Sequence, residues 1–177
     1  PYKPKSKGLG NSQVLPRDYV KQQEIELVLS EMAEQVAIRL RSIRKKTTAV
    51  SISIGYSRFE ESTSFRGQMK TEPTNQTEEL QKYVISLFRK KYNGGAVRSI
   101  SVFYSSFVDE NITILSLFDD PEEILKKERL QTAIDAIRSQ FGFTTLQKAN
   151  SLTSASRSIA RSKLVGGHSA GGLDGLK

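Results

Sequence analysis

Three stretches of this chain alternate with a period of two, a pattern that commits the backbone to a sheet with one covered face and one open face. Between Ser64 and Lys70, Phe65, Gly67 and Met69 point one way while Ser64, Arg66, Gln68 and Lys70 point the other. Val50, Ile52, Ile54 and Tyr56 alternate with Ser51, Ser53, Gly55 and Ser57, and Ser99, Ser101 and Ser105 alternate with Ile100, Val102 and Tyr104. The outward set is small, hydroxyl-bearing and cationic. A face of that kind lies close against a polyanion without bulky side chains holding it away.

Helical periodicity separates these strands. From Tyr19 to about Lys45, the residues Ile25, Leu29, Met32, Val36, Leu40 and Ile43 recur at steps of three and four, and Asp18 stands where a cap would. Asn75 followed by Glu78 resembles a capping box and opens a second helix bearing Leu80, Val84, Leu87 and Phe88, which Asn93-Gly94-Gly95 ends. With a short strand over Ser12-Gln13-Val14-Leu15 and a hairpin loop through Phe59 and Glu60, the order is β-α-β-β-α-β. The fold class expected is therefore α+β, a split arrangement in which two helices cover one face of one sheet.

Beyond Val108 the pattern changes. Asp120, Pro121 and Glu123 supply the chemistry of a helix start, and Leu130, Ala133, Ile134, Ile137 and Phe141 make a stripe on the helix that Gly142 should stop. The domain plan is a basic linker over 1–10, a sheet domain over 11–108, a linker over 109–120, a C-terminal helix over 121–142 and a flexible Ser/Gly-rich basic tail over 143–177. With few partner elements after residue 108, the stripe must pack on the sheet domain or on another copy, so self-association is expected.

The composition excludes several classes of function. The 177 residues fit one domain with extensions, not a large enzyme. A charge of +8, from 27 basic and 19 acidic residues, favours phosphate-bearing partners. With no cysteine there is no disulfide, thiolate nucleophile or Cys-based zinc site, and a reducing cytoplasm is the expected location. No apolar run approaches about 18 residues, so no membrane partner is expected. Asp109-Glu110 reads as a turn, and Asp119, Asp120, Glu122 and Glu123 suit a helix N-terminus, so no metal site is assigned. The lone His168 sits among glycines and is neither a triad member nor part of a metal cluster.

With the element order in place, local words become recognisable. Lys5-Ser6-Lys7-Gly8-Leu9-Gly10-Asn11-Ser12-Gln13-Val14-Leu15-Pro16 resembles the segment that opens the little-finger domain of Y-family translesion DNA polymerases of the UmuC type. Ser64-Phe65-Arg66-Gly67-Gln68 is similar to that domain's Arg-Gly strand, and Val97-Arg98-Ser99-Ile100-Ser101-Val102 to its Ile-Arg-x-Ile-x-Val strand. The resemblance covers roughly residues 4 to 108. It implies the C-terminal region of a bacterial polymerase without palm, fingers and thumb. Such a region binds DNA without extending it, carries no catalytic residue and needs no cofactor, magnesium belonging to the missing palm.

The resemblance also implies partners. The little finger clasps primer-template DNA through phosphate contacts, which assigns DNA binding to Lys5, Lys7, Ser12, Gln13, Ser51, Ser53, Arg66, Gln68, Lys70, Arg98, Ser99 and Ser101. Strict alternation puts Arg98 on the apolar side, so its inclusion requires the strand to turn there. Ile114-Leu115-Ser116-Leu117-Phe118 is similar to the peptide with which bacterial polymerases dock on the sliding clamp, Ile114 replacing the expected Gln. Ile114, Leu115, Leu117 and Phe118 are the clamp-binding candidates. A short buried strand is the other reading of this segment. For the whole domain the alternative is a ferredoxin-like module that binds RNA or protein. RNA stacking needs aromatics on the open face, where Phe103 is the main one.

Overall fold

The computed structural model describes residues 8–61, 64–112 and 120–163. Its chain forms two units, divided between Ile114 and Leu115. The first contains β1 (Gly8–Tyr19), α1 (Gln22–Ser42), β2 (Lys45–Tyr56), β3 (Phe65–Thr74), α2 (Thr77–Arg89) and β4 (Val97–Asp109). All pairings are antiparallel and the strand order is β1-β4-β2-β3. Because β4 runs between β1 and β2, the first βαβ unit is split, as the order of elements predicts. The α+β class is the one expected.

Both helices lie on the face that carries Val50, Ile52, Ile54, Ile100, Val102 and Tyr104, all buried. On α1 the residues Ile25, Val28, Leu29, Met32, Val36 and Leu40 are buried, spaced as the helical period requires. Leu80, Val84, Leu87 and Phe88 do the same for α2. Two contacts show the fit. The Tyr104 hydroxyl donates to the Ala33 carbonyl of α1 at 3.0 Å. A Cβ on Gly67 would stand 3.0 Å from Leu87 Cγ of α2, so β3 approaches that helix as closely as a glycine permits.

Element ends depart from the local signals because side chains found distant partners. Asp18 does not cap α1; the N-cap is Lys21, without a side-chain bond. Instead, Asp18 accepts a hydrogen bond from the Ser57 hydroxyl at 2.6 Å and pairs with Arg98 at 3.4 Å. Asn75 does not cap α2 either, since Gln76 holds that place and Asn75 Nδ2 donates to the Lys45 carbonyl at 3.3 Å. Thr74 supplies the local bond, its hydroxyl accepting from the Gln76 amide. β1 also runs longer than expected, from Gly8 and through Pro16. An edge strand with a register shift between Val14 and Tyr19 tolerates a residue that cannot donate to the ladder.

The second unit begins with α3 (Pro121–Phe141), whose N-terminus is built as its sequence foretells: Asp120 accepts from the Glu122 amide and Pro121 fills the first turn. Gly142 ends it with φ of 94°, a backbone shape that favours glycine. The expected flexible tail is corrected over 143–163. Two short 3-10 turns, Phe143–Thr145 and Ala149–Leu152, precede α4 (Ser158–Ser162). Arg138 organises the first of these: its guanidinium lies 4.8 Å from the Phe143 ring and donates twice to the Leu146 carbonyl, at 3.1 and 2.9 Å. The Thr145 hydroxyl closes back on the Phe141 carbonyl at 2.6 Å. Burial and the neighbouring Arg157 pull the Arg161 guanidinium below its usual pKa. Along α3 itself, Leu125, Leu130, Ile137 and Phe141 are exposed.

Candidate nucleic-acid interface

The sheet face opposite the helices is built in rows, because antiparallel register sets one residue from each strand side by side. One row reads Ser12, Ser101, Ser53 and Arg66 across β1, β4, β2 and β3. The next reads Gly10, Phe103, Ser51 and Gln68, and a third reads Gly8, Ser105, Ala49 and Lys70. Apart from Phe103 on β4, small residues therefore fill β1, β4 and β2, while longer polar side chains stand on the edge strand β3. The result is a shallow open depression lined by Ser51, Ser53, Arg66, Gln68, Ser101, Phe103 and Ser105.

Hydrogen bonding fixes part of this floor. The Ser12 and Ser101 hydroxyls are 2.6 Å apart, tying β1 to β4 on the open side. Ser51, Ser53, Ser99 and Ser101 are half-buried. Arg66, Gln68 and Lys70 are exposed. Elsewhere several cations are matched: Arg17 with Glu24, Arg89 with Glu26, Lys45 with Asp109, Arg98 with Asp18. Among the described residues, neither Arg66 nor Lys70 enters an ion pair. Their positive charge is thus presented to solvent from one edge of an uncharged floor. Alternate residues rise about 13 Å over the four steps between them, far enough to meet two separate anionic groups.

Sequence parity assigned most of this face, and two residues correct it. Gln13 is 8% exposed and sits with Leu15 on the helix-covered side, because the same alternation that turns Ser12 outward turns Gln13 inward. It leaves the candidate site. Asn11, of the same parity, donates to Gln35 of α1 at 2.7 Å. Arg98 is exposed, against strict alternation. Gly55 pairs with Ser99 but Tyr56 with Val97, so a bulge at Arg98 breaks the parity and frees its side chain. Its guanidinium then meets Asp18, which partly offsets the charge it offers.

Besides Ile52 and Gly67, two lining residues stand outside the sequence-derived set. Ser105 follows the alternation of its strand and could have been included by parity alone. Phe103 shares the open face, and only its placement between glycines shows what it does there. Lys5, Lys7, Ile114, Leu115, Leu117 and Phe118 lie outside the described residues. Among the described residues no cluster of His, Cys, Asp or Glu could hold a metal ion, and no helix is long and apolar enough to cross a membrane.

Residues 6–117 match the model of the impB/mucB/samB family C-terminal domain. The chain belongs to this family. UvrX of Bacillus subtilis (strain 168), named for UV-damage repair, is 39% identical over 160 residues, 90% of this chain and 38% of that protein. A protein named DNA polymerase IV 2 from the same organism is 36% identical over 164 residues, 92% of this chain and 39% of the relative. Its namesake in Halalkalibacterium halodurans is 34% identical over 165 residues, 93% of this chain and 40% of that protein. The chain spans about two fifths of the length of these relatives. It is a C-terminal domain of the Y-family DNA polymerase type, from a group of proteins concerned with DNA repair. The family domain covers the whole sheet unit, so the open face described above belongs to it.

Proposed function

We propose that the sheet unit grips the primer-template duplex by its phosphates while a polymerase works past damaged template. The observation that carries this reading is the uncovered face itself: a floor of serine and glycine flanked by Arg66 and Lys70, neither engaged in an ion pair among the described residues. Contacts of this kind position DNA and read no sequence, which suits an enzyme that must accept altered bases. Arg98, Ser12, Ser51, Ser53, Ser99 and Ser101 complete the surface, with Lys5 and Lys7 trailing along the backbone. In this reading polymerisation and its magnesium ions belong to a catalytic palm domain, and the sheet unit contributes binding.

The test is a salt titration of duplex binding. Each phosphate neutralised releases condensed counterions, so affinity should fall steeply with salt, and Arg66→Ala with Lys70→Ala should reduce the slope of log K against log salt by about 2. Binding that ignores salt, or that both substitutions leave untouched, would falsify the mechanism. An RNA-binding role is disfavoured because the open face carries Phe103 alone among aromatic residues of the three rows.

A second element of the proposal is clamp docking by the Ile114 to Phe118 peptide. Leu115, Leu117 and Phe118 supply apolar anchors of the type that enters a surface pocket, while Ile114 forgoes a polar one. Co-purification with the bacterial sliding clamp should be lost in Leu117→Ala with Phe118→Ala. Retention in that variant removes docking from the reading and leaves the duplex grip intact.

A further inference from the structure

Within the three rows of the open face, the one large apolar side chain is held in a set position. Phe103 lies on β4 opposite Gly10, and its ring reaches across β1 over both Gly10 and Gly8. A Cβ on Gly8 would stand 2.3 Å from Phe103 Cζ, and one on Gly10 would stand 2.5 Å from Cδ2. Neither distance is physically tolerable, so the two glycines are what allows the ring to rest on the strand. The ring is nevertheless 44% exposed. One side lies on the backbone of β1 and the rest of the ring is open to solvent beside the serines. Its row neighbours are Ser51 and Gln68, and Ser105 follows it at the next outward position of β4.

An apolar plate set in a polar floor offers no charge or hydrogen bond to a phosphate. The matching chemistry in a nucleic-acid backbone is the carbon-rich edge of the sugar between phosphates. We propose that Phe103 packs its outward ring face against a deoxyribose of the bound duplex, giving the grip a contact that salt does not screen. This rests on the duplex reading above and adds a second kind of contact to it. Base stacking is the less favoured use of the ring, because single-strand platforms stack successive bases on several aromatics. The three rows of this face hold one.

Counterion release makes the two kinds of contact separable. Binding of the full chain to a fluorescent primer-template duplex is measured by anisotropy across a salt series, for the unaltered protein, Phe103→Ala, Phe103→Leu and Arg66→Ala. Removing the ring should weaken binding by roughly fivefold to tenfold at every salt concentration while leaving the slope unchanged. Phe103→Leu should recover most of the loss, and Arg66→Ala should instead lower the slope by about 1. Circular dichroism of each variant confirms that the sheet is retained.

Unchanged affinity in Phe103→Ala, with steep salt dependence in the unaltered protein, overturns the sugar contact alone. A loss confined to single-stranded DNA overturns it in favour of base stacking. Absence of salt-dependent duplex binding in the unaltered protein defeats the duplex reading itself.

Discussion

The two faces of the four-stranded sheet are made from adjacent residues of the same strands, yet they answer to different physics. On the covered side, Ile54, Ile100, Val102 and Tyr104 are each 0% exposed beneath α1 and α2. One residue along, Ser53, Ser101 and Phe103 face away from the helices. The first set stabilises the fold by removing apolar surface from water, at about 25 cal/mol per Å². The second set contributes little to folding and keeps the surface low. The open face is set apart by its small side chains as much as by its charges.

That contrast can be broken experimentally, most severely from the covered side. Ile100→Ala should lower the free energy of unfolding by about 3 kcal/mol, since it removes buried methyl groups and leaves a cavity under α1. Urea denaturation reads the value, and a loss below about 1 kcal/mol would show that the core relaxes around the site. Next in size is the paired change Arg66→Ala with Lys70→Ala, which should reduce duplex affinity at least tenfold at low salt yet shift stability by no more than about 0.5 kcal/mol.

Tyr104→Phe probes a single polar atom on the apolar side. Burial pushes the Tyr104 phenol far above its usual pKa, so the hydroxyl remains a donor to the Ala33 carbonyl throughout the ordinary pH range. Its removal should cost about 1 kcal/mol in the same denaturation experiment. The smallest effect belongs to Ser101→Ala, one residue from Ile100. Losing its exposed bond to Ser12 should change stability by less than about 0.5 kcal/mol, and a larger value would mean that the open face also carries structural load.

Much of this comparison was legible in the sequence. The alternation over 64–70 and 50–57 assigned Arg66, Gln68, Lys70, Ser51 and Ser53 to the open face, where they stand. Regular stretches are readable because a strand turns each side chain by half a revolution regardless of its surroundings. Gln13, which the resemblance places among the DNA contacts, turns inward as the alternation from Ser12 requires. At Arg98 the alternation itself fails, and the side chain is exposed, as its inclusion in the site required. Its strand is irregular there, and a bulge is a property of the pairing between β2 and β4, invisible in either strand alone. The tail after Gly142 read as flexible from its small residues, while Arg138, on the preceding helix, supplies the bonds that organise its first turn.

By itself, the chain's sequence determined the order of elements, the sidedness of the regular strands and the start of α3, where Asp120 bonds an amide two residues away. Each depends on geometry within a few residues, which no other part of the molecule needs to supply. Tertiary structure alone decided the uses of Asp18, which meets Ser57 and Arg98 across 39 and 80 positions of the chain, and of Phe103, which needs two glycines on another strand. Polar and aromatic side chains have several partners of similar strength within reach, and only the packed sheet selects among them.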